Sequence, residues 1–183
     1  EALSEYNEGR LRAGYDPIRI GIGINTGMMM LGTLGEEGRM EGSVISDAVN
    51  LAARLEGLTK LYKTPLLISE ITCMKLDPMT CKSRLIDRVA VKGKDKPVLV
   101  YEVLDAYAPE VFNKKRATLE TFEQGWELYQ NQRFEEAQEK FQECLELAPV
   151  DTVASLYVER CQTLISNGWD AETWDGVNRM ETK

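Results

Sequence analysis

RMEGSVISDAVNLAARLEGLTKL, at residues 39–61, holds the strongest helix signal of the chain. Ser46 and Asp47 are favoured N-cap residues, and apolar residues follow them at helical spacing. The apolar positions that can share one face are Ala48, Ala52, Leu55 and Leu58. The pattern predicts a helix over residues 47–62 that buries this face against the rest of the protein.

Two polar residues lie beside this apolar face. Asn50 and Arg54 are four positions apart, so a helix stacks their side chains on a neighbouring face. An amide can fix a sugar or a base, and a guanidinium can hold a phosphate through paired hydrogen bonds. An isolated pair of this kind is more often two solvated surface residues, so the flanking sequence has to decide between the two interpretations.

The flanking residues resemble a known signature. Residues 39–47 read R-M-E-G-S-V-I-S-D, and residues 48–56 read A-V-N-L-A-A-R-L-E. This is similar to the central motif of the class III nucleotide cyclases, in which a loop R-M-D-Y-T-V-I-G-D leads into a helix T-V-N-L-A-S-R-L-E. Gly42 stands where the family has an aromatic residue, and Ser46 stands where it has a glycine.

Shorter matches extend the resemblance over residues 19–103. The pattern I-G-I-x-x-G lies at residues 22–27, Leu34-Gly35 matches a loop on the phosphate side, and V-K-G-K lies at residues 91–94. Together with the central motif, these matches favour the family interpretation over a solvated helix face.

The resemblance implies a site built between two chains. In this family two copies of the domain pair head to tail, and each active site lies at their interface. One chain supplies two metal-binding aspartates, and the other supplies the Asn and Arg of the helix. The resemblance therefore implies a homodimer in which Asn50 orients the ribose and Arg54 stabilises the charge on the α-phosphate.

The resemblance also assigns substrate-binding positions. Lys92 or Lys94 would hold the triphosphate, with Lys94 preferred, and Gly35 belongs to the loop on the phosphate side. Ser43 falls where the family places a base-selecting side chain, and a serine there is compatible with adenine. The reaction implied for the full protein converts ATP, or as the less favoured option GTP, into the 3′,5′-cyclic nucleotide and pyrophosphate.

The metal ligands of the family are expected to lie outside this chain. The resemblance implies two Mg²⁺ or Mn²⁺ ions, held by the first half of the domain, and nothing before Arg19 resembles that half. Asp47 is better explained as a helix-cap residue, and Asp16 is not a suitable replacement either. We therefore expect no metal site in this chain and no cyclisation by the chain alone.

The composition excludes several other functions. A net charge of -8 argues against nucleic-acid binding, which requires a basic surface. The chain has no histidine, and its four cysteines include no C-x-x-C pair, which argues against a zinc site. No apolar run approaches the ~20 residues of a membrane span. The sequence predicts a cytoplasmic protein without a membrane segment.

The remaining pattern predicts an α+β fold. A helix is expected over residues 1–14, and strands at 18–25 and 28–34 are expected to form an antiparallel hairpin, followed by a loop at 35–42. Further strands are predicted at 64–69, 82–92 and 97–104, with a short helix at 70–76. The predicted architecture is a partial ferredoxin-like cyclase sheet with helices on one face, plus a small all-α C-terminal segment.

The chain divides into three predicted parts. Residues 1–105 are the C-terminal half of a cyclase domain, residues 106–166 are a tetratricopeptide-like helical segment, and residues 167–183 are an irregular tail. The positions that match the repeat are Gly125, Leu128, Phe134, Ala137, Phe141 and Pro149. Because an independent array usually needs at least ~3 repeats, the segment is expected to dock on the preceding domain, another chain or further repeats.

A second interpretation makes the protein an interaction module. In it, the α+β part is a non-catalytic pseudo-cyclase used for dimerisation, and the tetratricopeptide-like segment binds a protein partner. The presence of both Asn50 and Arg54 argues against decay of the site and favours the enzyme.

Overall fold

The computed structural model describes residues 2–36, 39–90 and 96–179, and for Ser4, 33–36 and 39–45 only the backbone. The helices are α1 (Ala2–Arg12), α2 (Asp47–Tyr62), α3 (Glu70–Cys73), α4 (Pro109–Ala117), α5 (Leu119–Gln130), α6 (Phe134–Leu147) and α7 (Thr152–Asn167). The strands are β1 (Ile22–Ile24), β2 (Met30–Glu36), β3 (Arg39–Ile45), β4 (Leu66–Ser69), β5 (Ser83–Ala90), β6 (Val98–Val103) and β7 (Asn178–Arg179). A partial sheet with helices, followed by a helical segment, confirms the α+β class.

Five of the described strands form one mixed sheet in the order β1-β4-β6-β5-β7. Strand β1 runs parallel to β4, and β7 runs parallel to β5. Strand β6 lies antiparallel between β4 and β5. Strands β2 and β3 form a separate antiparallel hairpin, so β1 is one edge of the described main sheet.

The predicted pairing of the first strands was wrong. Strand β1 pairs with β4 rather than with β2, with Ile22 opposite Leu66. The partner of β2 is β3, which begins within residues 35–42, predicted to be a loop because they are rich in glycine and charge. Local alternation identified β1 and β2, but β1 pairs in parallel with β4, which follows α2 in the chain, and a local pattern does not contain this long-range contact.

The helical segment packs on the sheet of the same chain. Tyr157 of α7 donates from its hydroxyl to the carbonyl oxygen of Ile86 in β5, at 2.7 Å. Thr152 donates to the carbonyl oxygen of Tyr62 at the end of α2, also at 2.7 Å. The ring of Phe122 in α5 packs edge-on against that of Tyr157. Of the docking modes expected from the sequence, the structure places the segment on the preceding domain.

A buried cluster of four charged side chains joins the two parts. Its members, each no more than 4% exposed, are Arg84 of β5, Glu102 of β6, Lys115 of α4 and Asp151 at the start of α7. Lys115 Nζ donates to Asp151 at 2.9 Å and to Glu102 at 3.0 Å. Two cations and two carboxylates balance, so the cluster has no formal net charge.

The charge pairing sets the ionisation of Asp151. Burial alone would raise the pKa of this carboxyl, but the adjacent Arg84 and Lys115 side chains hold its pKa below the usual value. The Asp151 side chain also accepts hydrogen bonds from the amides of Val153 and Ala154, and so caps α7. The same carboxylate therefore fixes the start of α7 and its position on the sheet.

Part of the predicted irregular tail is ordered against the rest of the chain. Asn178 and Arg179 pair with Val89 and Ala90 at the end of β5. Trp174 packs its ring against Tyr129 and Phe134, with centroid distances of 5.3 and 5.0 Å.

Candidate functional site

The candidate site is organised by helix α2, whose start is capped as predicted. Ser46 Oγ accepts hydrogen bonds from the amides of Ala48 and Val49, at 3.1 and 3.3 Å. The buried residues of the helix are Leu51, Leu55, Leu58, Thr59 and Tyr62. Ala48 and Ala52, predicted to be buried, are only half-buried, because the buried face is centred on Leu51 and Tyr62 as well as on Leu55.

Asn50 and Arg54 lie outside the core. Asn50 is exposed and Arg54 is half-buried. They are one helical turn apart, so their side chains project from the same side of α2. Within the part of the chain that the structure describes, neither side chain makes a hydrogen bond or an ion pair. The arrangement leaves an amide and a guanidinium in position to contact a ligand.

Glycines in β1 and directly before it allow α2 to lie directly on this part of the chain. A Cβ atom built on Gly23 would come within 2.3 Å of both the Ala52 carbonyl oxygen and the Glu56 amide nitrogen, which are backbone atoms of α2. A Cβ atom on Gly21 would lie 1.9 Å from Thr59 Oγ1. Any side chain at Gly23 would therefore push α2 away from the sheet and move the helix that carries Asn50 and Arg54.

Asn25 anchors the first turn of α2, a function that the sequence did not reveal. Its Nδ2 donates to the carbonyl oxygen of Ala48 at 3.0 Å, and its Oδ1 accepts from Ser69 Oγ at 2.6 Å. Asn25 thus joins the start of α2 to the end of β4. An asparagine directly after a strand was the available signal, but it does not indicate which backbone group the amide contacts.

The structure describes the other predicted substrate-binding residues only in part. Gly35 lies in β2 opposite Met40, so it belongs to a strand and not to a loop as predicted. Ser43 lies in β3 opposite Gly32, and the position of its side chain is outside the described part of the structure. Lys92 and Lys94 lie outside the described residues. The structure therefore brings together Asn50 and Arg54, while the approach of the other four residues to them stays a prediction.

The outer face of β1 is apolar and exposed. Ile22 and Ile24 are each 43% exposed, since the intervening Gly23 faces α2. The chain that follows also exposes large apolar side chains, with Met28 at 95% and Leu31 at 80%. Exposed apolar surface of this kind, at the edge of a sheet, is typical of an interaction surface.

The described residues do not offer a metal site. No group of three or more Cys, Asp or Glu side chains in residues 2–36, 39–90 and 96–179 is arranged to hold a metal ion. The acidic residues of the buried cluster are engaged by Arg84 and Lys115. Among the described helices, none has both the length and the hydropathy that a membrane span requires.

Comparison with known proteins gives the family. Residues 2–104 match the family model described as the adenylate and guanylate cyclase catalytic domain. The chain is 38% identical over 149 residues to the terminal-differentiation specific adenylate cyclase of Dictyostelium discoideum, covering 80% of this chain and 7% of that protein. It is 43% identical over 109 residues to an adenylate cyclase of Anabaena cylindrica, covering 56% of this chain and 22% of that protein.

A solved structure was also matched. The crystal structure of the adenylyl cyclase CyaB from P. aeruginosa is 34% identical, with a TM-score of 0.45, and the match covers 55% of this chain and 50% of that one. The chain spans less than a quarter of the length of the two curated relatives described above. The family model covers more than half of the chain, so the chain belongs to the family of adenylate and guanylate cyclase catalytic domains.

Proposed function

We propose that this chain is the part of an adenylate cyclase that binds and orients the nucleotide, and that the full protein converts ATP into 3′,5′-cyclic AMP and pyrophosphate. The observation that carries the proposal is the placement of Asn50 and Arg54, one turn apart on the side of α2 that does not face the core. The names of the matched relatives from Dictyostelium discoideum and Anabaena cylindrica support ATP over GTP.

In the proposed mechanism, the 3′-oxygen of the ribose attacks the α-phosphorus while the bond to the pyrophosphate oxygen breaks. Asn50 holds the ribose, which keeps the attacking oxygen near the phosphorus. Arg54 donates to the α-phosphate oxygens and stabilises the charge that develops on them. The proton of the 3′-hydroxyl passes to water in this step, and the pyrophosphate leaves with the bonding electron pair.

The remaining contacts complete the proposal. Lys94, or alternatively Lys92, pairs with oxygens of the β- and γ-phosphates, which leave as pyrophosphate, and the backbone at Gly35 lies on the phosphate side. Ser43 contacts the adenine edge. These four positions rest on the motif matches at residues 34–35, 39–47 and 91–94.

Divalent metal ions, Mg²⁺ or Mn²⁺ in the proposal, would supply charge neutralisation of the triphosphate. The described residues contain no group of acidic side chains that fits such an ion. We propose that the metal ligands come from a homodimer partner, with the exposed apolar surface at β1 as part of the contact region. On this proposal the isolated chain does not cyclise ATP, and the full protein acts in the cytoplasm.

We propose the division into residues 1–105, 106–166 and 167–183 as a description of sequence units. The tetratricopeptide-like assignment of residues 106–166 is supported by α5 and α6, two helices joined by three residues. The match to the Dictyostelium discoideum cyclase covers 80% of the chain, so it continues beyond the cyclase family match and into this segment. This favours a helical segment that accompanies the cyclase over an unrelated fusion.

The non-catalytic alternative differs in what the helical segment does. As an interaction module, the segment would need a free surface for a protein partner. Its aromatic residues Phe122, Phe134 and Phe141 and Tyr157 of α7 are fully buried within this chain. A protein partner would therefore have to bind the outer surface of the segment.

Assay of the full gene product that contains this chain, with ATP or GTP and Mn²⁺, tests the proposal. We expect cyclic AMP and pyrophosphate from ATP in equal amounts, with a lower rate for GTP and no product from the isolated chain. Absence of any cyclic nucleotide from a folded, dimeric full-length protein would favour the pseudo-cyclase interpretation.

A further inference from the structure

A cavity of about 410 Å³ lies between α7, α5 and the C-terminal tail. Its apolar wall includes Leu156 and Leu164 of α7 and Val177 of the tail, and the rings of Tyr129 and Trp174 complete the wall. No residue of α2 lines it, so it is separate from the candidate nucleotide site. Cavities of this size with mostly apolar walls are typical of small-molecule sites.

Arg160 of α7 brings unused hydrogen-bond donors to this cavity. Its Nη1 donates to Asp87 at 2.8 Å, and its side chain is only 19% exposed. The other N–H groups of this guanidinium make no hydrogen bond with any residue that the structure describes. An arginine has five such donors, so those that Asp87 does not use stay available to a ligand in the cavity.

A tyrosine hydroxyl adds a further donor. Tyr129 is 7% exposed, and its hydroxyl has no hydrogen-bond partner in the described part of the chain. Its ring is held by Phe134, Trp174 and Tyr157. Trp174 Nε1 has almost no accessible surface, so Trp174 contributes its ring to the cavity and not a donor.

The acceptors around the cavity are largely engaged. Asp87 accepts from the Tyr62 hydroxyl at 2.5 Å and from Asn178 at 3.3 Å, in addition to Arg160. Asp175 pairs with Arg179. Glu159 is exposed, so water solvates its carboxylate. The groups at the cavity that lack partners are therefore donors, on Arg160 and Tyr129, and they lie beside apolar side chains. A ligand with a compact, charged acceptor would pair with them.

We propose that this cavity binds a small planar organic anion, with its carboxylate on Arg160 and Tyr129 and its apolar body between Leu156, Leu164 and Trp174. Such a ligand would bridge α7 and the tail, whose strand β7 pairs with the end of β5. It would thereby hold the helical segment and the sheet in one arrangement, as an effector does.

Isothermal titration calorimetry of the 183-residue chain with 2-naphthoate tests the inference, with the neutral isostere 2-naphthamide as the matched probe. We expect one naphthoate per chain and naphthamide binding at least about tenfold weaker, because the amide cannot replace a charge-assisted acceptor. Tyr129→Phe keeps the ring and removes the hydroxyl, so it should weaken naphthoate binding about two- to tenfold.

Two phenylalanine variants of α7 locate the binding. Thr163 lines the cavity and Gln162 does not, and both are exposed. Thr163→Phe should abolish naphthoate binding, and Gln162→Phe should leave it unchanged, with circular dichroism reporting the fold of each. Equal binding of the two probes, no heat with naphthoate at millimolar concentration, or full binding by Thr163→Phe would overturn the proposal. If Thr163→Phe does not fold, Tyr129→Phe decides, and unchanged affinity in that variant overturns the proposal as well.

Discussion

Arg84 and Asp151, 67 positions apart in the chain, form a two-pronged salt bridge in the interior of the protein. Arg84 Nη1 donates to Asp151 Oδ2 at 2.8 Å, and Nη2 donates to Oδ1 at 3.0 Å. The guanidinium also lies over the ring of Phe122, with its central carbon 3.8 Å from the ring centroid. A strand of the cyclase sheet is thereby fixed to the start of the last long helix. The helical segment is therefore a structural part of this domain.

Lys115→Met tests this buried cluster. The substitution leaves Glu102 and Asp151 without one of their two cations, so we expect a loss of about 3–5 kcal/mol in the free energy of unfolding, measured in urea. Lys114→Met is the matched control. Lys114 pairs with the exposed Glu110 on the surface, and its removal should cost less than about 1 kcal/mol.

Comparison of the two lysine variants shows whether the buried charge cluster stabilises the domain. Similar unfolding midpoints for Lys115→Met and Lys114→Met would show that the buried charges do not couple the helical segment to the sheet. Unfolding of the helical segment in its own transition, apart from the sheet, in the wild-type protein would also contradict a shared core.

Thiol reactivity reports the packing of the helical segment. Cys144 and Cys161 are fully buried, and burial raises their pKa to about 11 and about 12. Cys73 and Cys81 are half-buried. Since the thiolate is the reactive form, we expect a disulfide reagent at pH 8 to modify Cys73 and Cys81 first and the other two only after unfolding.

Cysteine-to-serine variants assign the phases of this reaction. Cys73→Ser with Cys81→Ser should abolish the fast phase in the native protein. Fast modification of four thiols without denaturant would mean that α6 and α7 do not pack as described.

Helix α2 and its polar pair could be predicted from the sequence because a helix cap, an apolar face and a family motif coincide within residues 39–61. The pairing of β1 could not be predicted. Strand β1 is parallel to β4, which follows α2 in the chain, so the pairing is a long-range contact. Gly23 lies against the backbone of α2, but a glycine in a strand does not show which element packs on it. The strand β3 was missed because its glycine and charged residues are also typical of loops.

The buried charge cluster was also missed, although a partial signal was present. Arg84 and Glu102 lie opposite each other in the antiparallel pair of β5 and β6, on the face that also carries Leu67. Charged residues at inward positions of two apolar strands indicate a buried pair. Lys115 stands in the run K-K-R, which gives no sign that its middle residue is buried. Its partner Asp151 is 36 positions away, so only the tertiary structure reveals the contact.

The exposed edge at β1 predicts self-association of the chain. Ile22 and Ile24 face away from α2, and among the residues that the structure describes the outer edge of β1 has no partner strand. A second copy bound here would cover the two side chains and pair the edge. We expect the mass from light scattering to rise with protein concentration. Ile24→Lys should suppress the rise, whereas Leu147→Lys, which alters an exposed residue of α6, should not. A monomer over the whole concentration range would contradict this prediction.

The central claim is that Asn50 and Arg54 of α2 bind and orient the nucleotide. The variant Arg54→Ala in the full gene product tests it most directly. The control is Lys60→Ala, an exposed cation of the same helix that should leave activity unchanged. Pyrophosphate release gives kcat, and equilibrium dialysis gives ATP affinity for each variant. We predict that Arg54→Ala lowers kcat about 10²–10³-fold and weakens ATP binding less than about tenfold. Equal loss in kcat and affinity, or no loss in either, would contradict the account.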